Sequence, residues 1–297
     1  MKPCIIGRET MHPPETGFLT FALDGVAFQL RWPADFSWLR GYGTVFRVMD
    51  QLPSGNLCFG VDGPYGRLFI KYAGARTVNY SGRPEDAAEW LARSAELYRQ
   101  FAHACLVPML THGPAGEGYA TVFPWQDAPP LRPLPPSDRV LTQVRKLPPV
   151  HTLQMLDGVF DLHAALSAFG LVAVDFTDEH VLIDFDARRA LVCDVDLYKP
   201  KPAFNTRGRM PGSPRFLAPE EYVMGDPLGE DTTVYKMGAL AFEFYGDNAD
   251  RGRDTWIGPE KLYAVAAKAT QENRKKRYPT MREFLIDWRN AVSATRL

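Results

Sequence analysis

Residues 174–198, VDFTDEHVLIDFDARRALVCDVDLY, constrain the fold more than any other stretch. Val181, Leu182 and Ile183 read as a short buried strand, residues 186–189 as a tight turn, and residues 190–193 as a second strand. Carboxylates stand at both mouths of this hairpin, Asp175 before it and Asp194 and Asp196 after it. Residues two apart on a strand point to the same side, so the last two are expected to converge on one cation. Such a hairpin suits divalent-metal and phosphate chemistry. The same residues also fit an ordinary solvated turn.

A chain of 297 residues is long enough for one large domain or two lobes with cores of their own. Its formal net charge of -1 offers no bulk field for nucleic acid. The 4 cysteines are scattered without paired spacing, which argues against a zinc ribbon and a disulfide framework. The opening MKPCIIGRET lacks the apolar core of a signal peptide, and no apolar run of about 18 residues occurs. A cytoplasmic, soluble protein with neither a nucleic-acid nor a membrane partner is the expectation.

Residues 1–43 are poorly periodic, and Trp32, Phe36, Trp38 and Leu39 are expected to cover part of the neighbouring domain. Between 42 and 73 the pattern turns to strands: TVFRVMDQ, LCFGVD and RLFIKYA, joined by LPSGN and GPYG. Lys71 lies in the third strand beside Phe69 and Ile70. It fits either a surface lysine or an ammonium over a nucleotide's phosphates. The turn Pro53-Ser54-Gly55-Asn56 is where backbone N–H groups could meet a phosphate. Residues 84–103 read as a helix opened by Pro84, Glu85 and Asp86, with Trp90, Leu97 and Phe101 inward. Glu89 and Glu96 lie on its other side, where either could reach Lys71 or pair with Arg93 or Arg99.

LVPML and GYATVFPW read as two more strands, completing a five-stranded lobe. QDAPPLRPLPP then looks like a joint in which no regular element persists. A helix over 151–169 should bury Leu153, Leu156, Val159, Phe160 and Leu166, with His163 packed or capped rather than a base. Residues 199–212 are basic, polar and expected to be mobile; further helices fit TTVYKMGALAFEF, 263–270 and 280–292.

The order GRLFIKYA, HACLVPML, AVDFTDEHVLIDF, VCDVDLY, GSPRFLAPEE, VYKMGALAFEFYG and ENRKKRYPTMREFL resembles the protein-kinase-like superfamily. The likeness is to a divergent bacterial serine/threonine kinase and covers roughly residues 45–292. It implies an α+β, two-lobed fold: a small five-stranded antiparallel N-lobe with one helix over 44–126, and a mostly helical C-lobe over 127–297, preceded by the extension 1–43. It also implies ATP with Mg2+ or Mn2+, and a protein substrate of unknown identity.

The resemblance assigns roles residue by residue. Lys71 looks like the lysine on the α- and β-phosphates, paired with Glu96, or with Glu89 in reserve. Ser54, Gly55, Asn56, Phe123 and Trp125 fall where the nucleotide binds. Asp175 looks like the aspartate that accepts the proton of the substrate hydroxyl, and Asp194 like the metal-bridging aspartate, with Asp196 as helper. Counting back from His103 lands on Ser94 where the family has its glutamate, and the nucleotide loop keeps only Gly55.

Other departures bear on metal and regulation. His180 stands where the family has a metal-binding asparagine, which favours softer metals such as Mn2+. Asp178 is a possible substitute ligand. Ala173 and Val174 replace the family's His-Arg, removing the clamp on a phosphorylated loop. Thr206 and Ser213 are weak phosphosites, because Ser and Thr are common in loops. Asp196 in place of glycine should restrict swinging of the loop and leave the site poised. Glu220 should pair with Arg277, and Thr233 should act as a cap. Protein kinase, nucleotide-binding pseudokinase scaffold and small-molecule phosphotransferase all remain open readings.

Overall fold

The computed structural model describes residues 17–64, 66–133 and 137–295. Over these residues the protein is mixed α/β, with six α-helices and a five-stranded antiparallel sheet. The chain divides into two compact units, one taking residues up to 100 and 108–125, the other 101–107 and residues from 126 onward. Among the described residues, no helix is long and apolar enough to cross a membrane.

The first unit opens with a hairpin, β1 (Leu19–Leu23) and β2 (Val26–Leu30). Its turn residues Asp24 and Gly25 both take the left-handed backbone that a tight hairpin needs. The sheet comprises β3 (Thr44–Met49), β4 (Asn56–Gly63), β5 (Gly66–Ala73), β6 (Thr111–Ala115) and β7 (Gly118–Pro124), in the order β3-β4-β5-β7-β6. Helix α1 (Pro84–Gln100) follows β5 in the chain. Alternate residues Leu57, Phe59 and Val61 of β4 and Leu68, Ile70 and Tyr72 of β5 form one buried face with Phe28, Leu30, Phe36 and Leu39. The opening segment therefore does cover the sheet, although Trp32, expected to take part, is 47% exposed.

α1 buries Ala87, Leu91, Ser94, Ala95 and Tyr98, whereas Trp90 is 45% exposed. The expected stripe of Trp90, Leu97 and Phe101 is replaced because small residues let the helix approach the sheet closely. Ala87 and Leu91 pack directly on Ala73 of β5.

The second unit contains α2 (Arg139–Val144), α3 (Pro149–Ala168), β8 (Leu171–Val172), and the hairpin β9 (Val181–Asp184) and β10 (Arg189–Val192). Then come β11 (Lys199–Pro200), β12 (Ala203–Phe204), β13 (Pro227–Leu228), α4 (Glu230–Tyr245), α5 (Glu260–Ala269) and α6 (Met281–Ser293). α3 starts at Pro149, which sacrifices no helical hydrogen bond there, and buries the five apolar residues expected of it. The ring of Phe160 lies 5.0 Å from both Phe284 and Trp288 of α6.

A lone two-stranded hairpin is marginal in water. Here both edges of β9–β10 are paired. Ile183 N–H donates to Pro129 O (2.8 Å) and Leu131 N–H to Val181 O (2.7 Å), while Val192 N–H donates to Cys105 O (2.7 Å) and Val107 N–H to Val192 O (2.9 Å). These bonds correct two expectations. LVPML is not a sheet strand, because Leu106 and Val107 are committed to β10 and Pro108 has no N–H; β6 lies just after it. Residues 129–131 of the proline-rich stretch run along β9, and 134–136 lie outside the described residues.

Glu220 and Arg277 form the expected pair, Nη1 to Oε1 at 2.8 Å and Nη2 to Oε2 at 3.1 Å, and both are buried. Thr232 Oγ1 donates to the same carboxylate at 2.8 Å. Removing one partner of such a pair leaves a buried charge without compensation. Arg277→Met is expected to cost about 3–5 kcal/mol in denaturant unfolding, and a loss below about 1 kcal/mol would show the pair to be dispensable.

Candidate functional site

The loop from β8 to β9 carries Asp175 and is anchored at both ends. Ala173 N–H donates to Thr233 Oγ1 on α4 (3.1 Å), so Thr233 caps this loop rather than its own helix. Phe176 packs edge-on to the His163 ring, with centroids 4.7 Å apart. Thr177 Oγ1 accepts Glu179 N–H at 3.3 Å and opens the short turn Asp178–His180.

Asp175 (φ 63°) and Asp194 (φ 57°) both take the left-handed backbone, which non-glycine residues adopt at a cost. Aspartate is among the side chains that tolerate it best. The same geometry corrects Asp196: β10 ends at Val192, so the two-residue strand rule does not carry through Asp194 to Asp196. Between them Val195 is fully buried.

The two carboxylates feel one another. Burial raises the pKa of Asp175, the Asp194 charge raises it further, and the charges of His180 and Lys236 oppose the rise. Burial, then Asp175 and Asp194, push Tyr198 well above the usual phenol range. His163, fully buried, donates from Nδ1 to Val159 O (2.7 Å) and accepts Tyr198 Oη–H at Nε2 (2.7 Å). That pattern requires the neutral ring, and burial lowers its pKa to about 4. His163 is thus a packed support, as expected.

Among the described residues, no group of three or more His, Cys, Asp and Glu gathers to hold a metal. The expected set Asp194, His180 and Asp196 is therefore not a preformed cage. Asp178 is no substitute: it is fully buried, both its oxygens accept Arg215 Nη2 (3.1 and 2.8 Å), and it lies 3.2 Å from Arg132 Nε. His180 Nδ1 is buried with no hydrogen-bond partner. Asp194 is exposed, so among the expected ligands it is the carboxylate open to a cation that brings most of its own oxygen ligands.

The segment after Asp196 is ordered, contrary to the expected mobility of 199–212. β11 pairs with β8 and β12 with β13. Buried Asn205 accepts Arg207 and Gly208 N–H (3.0 Å each) and donates to Gly208 O (2.6 Å) and Glu220 O (3.2 Å). Gly212 (φ 118°) lies against Asp175: a Cβ there would stand 3.2 Å from Asp175 Oδ1. Sequence reasoning missed Gly212, whose only signal is a glycine before Ser-Pro-Arg.

In the first unit, Lys71 is buried on β5, opposite Cys58 of β4 and Thr121 of β7. Thr121 Oγ1 is buried without a hydrogen-bond partner, an unfilled polar position beside Lys71 that the sequence did not flag. Glu96 accepts Arg99 Nε (2.9 Å) and Gln100 Nε2 (3.0 Å), which hold its pKa down to about 2, and Glu89 pairs with Arg93. The buried side of α1 offers Ser94 instead, its hydroxyl donating to Leu91 O (2.9 Å).

The remaining expected nucleotide contacts have structural roles. Gly55 (φ 81°) is buried under Tyr80, whose ring a Cβ would meet at 2.7 Å; Ser54 is exposed and Asn56 half-buried. Phe123 packs edge-on to Tyr98 (5.1 Å). Trp125 packs on Phe46 (4.8 Å), with Arg67 over both rings, and Gly60 beneath gives them room.

Thr233→Val is expected to cost about 1–3 kcal/mol, by stranding the Ala173 N–H, and to speed amide exchange around Asp175; unchanged exchange would overturn that anchor. His163 binds a proton more weakly folded than unfolded, so the stability it costs appears as pH falls from about 6.5 through about 4. His163→Gln should therefore flatten the melting temperature's dependence on pH across that window, and an unaltered slope would refute the assignment. Compared with known proteins, the sequence matches no family model and no curated relative.

Proposed function

We propose that the protein transfers a phosphoryl group from ATP to serine or threonine hydroxyls of a protein substrate, on a two-lobed protein-kinase-like fold. The observation that carries this reading is the pairing of Asp175 and Asp194. Both sit on left-handed backbone, the charge of Asp194 raises the pKa of Asp175, and the backbone of Gly212 lies against Asp175. The five-stranded sheet with its helix and the Glu220–Arg277 pair lend further support.

In this reading Asp175 orients the acceptor hydroxyl and takes its proton as the new O–P bond forms and the bond to the departing ADP oxygen breaks. Its raised pKa makes it a better proton acceptor than an exposed aspartate. Gly212, lacking a Cβ, lets its segment pass close to the Asp175 carboxylate. Asp194 would hold the cation, with His180 as the second expected ligand, and the cation would neutralise charge on the transferring phosphate. Lys71 supplies an ammonium for the nucleotide's phosphates, with Thr121 Oγ1 as a neighbouring donor.

A nucleotide-binding module without transfer is the second reading. It is favoured by Glu96 being held by Arg99 and by Ser94 standing on the buried face of α1.

Calorimetry with ATP and Mg2+ or Mn2+ tests the site. Binding should require metal, weaken about tenfold or more in Asp194→Ala, and shift from Mn2+ toward Mg2+ in His180→Asn. Binding without transfer to dephosphorylated casein would select the second reading. No binding under either metal would overturn both.

A further inference from the structure

Two contacts join the Asp175 loop to the segment after it. Gly212 lies against Asp175, and three residues further along each stretch Arg215 grips Asp178. Arg215 Nη1 also donates to Glu243 of α4, and Arg251 Nη2 donates to Arg215 O at 2.6 Å. Asp178 is fully buried and Glu243 nearly so; Arg132 contacts both, with Nη2 2.9 Å from Glu243 Oε1. Two guanidiniums thus balance two buried carboxylates. The two arginines differ in what they tie down: Arg132 comes just after the stretch along β9, whereas Arg215 lies in the segment that faces Asp175.

We infer that Arg215 is a positioning residue, holding the Gly212 segment in register with Asp175 through Asp178 and Glu243, so that the segment is set from within and without a phosphate. For its bearing on activity this rests on the phosphoryl-transfer reading. The charge arrangement supports it. Residues 173 and 174, ahead of Asp175, are buried Ala and Val, so that part of the loop offers no guanidinium to a phosphate on exposed Thr206 or half-buried Ser213. The cation is instead on the segment and the carboxylate on the loop. A carboxylate is a permanent charge at neutral pH, whereas a phosphate must be added and can be removed.

Hydrogen exchange on the full chain tests the tie without requiring activity. In Arg215→Gln, amides of residues 208–217 and 173–180 should exchange about tenfold faster or more, while α3 and α5 keep their protection. Arg132→Gln removes the same charge from the cluster but should leave 208–217 near wild-type protection, and Arg215→Lys should restore part of it. Phosphatase treatment of the wild type should change nothing. Equal loosening of 208–217 in both glutamine variants, or protection that disappears on phosphatase treatment, would overturn the inference. Where the wild type phosphorylates dephosphorylated casein, Arg215→Gln should raise the KM for casein about tenfold and leave the Kd for ATP within about twofold. An unchanged KM would also count against it. A wild type that transfers nothing defeats the functional reading alone, and the exchange result still decides the tie.

Discussion

Helix α4 is buried on every side from Thr232 to Tyr245, and the arrangement around the candidate site depends on that burial. A polar group without water must find a partner inside the protein or carry a desolvation cost of a few kcal/mol. Each polar side chain of α4 therefore dictates where a neighbour lies. Thr232 fixes Glu220; Thr233 fixes the start of the Asp175 loop; Glu243 receives Arg132 and Arg215. Fully buried Lys236 reaches Glu221 (2.7 Å) and Phe216 O (3.3 Å), and the same Glu221 carboxylate accepts Ala218 N–H (2.8 Å). Four positions on one rod thereby locate the loop, the segment and the Ala-Pro-Glu turn.

This arrangement makes the site conditional on geometry rather than on apolar packing. Apolar contacts tolerate sliding of a few tenths of an ångström, whereas a buried bidentate pair does not. Around Asp175 the shape is set by Thr233, Arg215 and the backbone of Gly212, and only then lined by Phe176 and Phe216.

The sequence made some of this legible. The short apolar runs Val181–Ile183 and 190–192, separated by a charged turn, mark a hairpin because both strands bury apolar side chains. Glu220 and Arg277 were readable through the resemblance, which sets the glutamate of Ala-Pro-Glu against an arginine of RKKRYPT, and the structure buries the two together. β6 was not readable: Thr-His-Gly-Pro-Ala has little strand preference, and its pairing with β7 comes from the sheet. The buried stripe of α1 was hidden because large apolar residues draw attention, while close packing on a sheet selects alanine and serine. The strand argument for Asp194 and Asp196 failed because β10 ends at Val192 and Asp194 takes left-handed backbone, which the sequence does not announce.

The Glu220–Arg277 pair joins residues 57 apart, and Arg277 lies beyond both α4 and α5. During synthesis the Ala-Pro-Glu turn therefore emerges long before its counter-charge. Until Arg277 leaves the ribosome, Glu220 has no guanidinium to bury against and stays hydrated. The nascent second unit can gather its earlier helices first, but the segment that faces Asp175 is completed only after Arg277 has emerged.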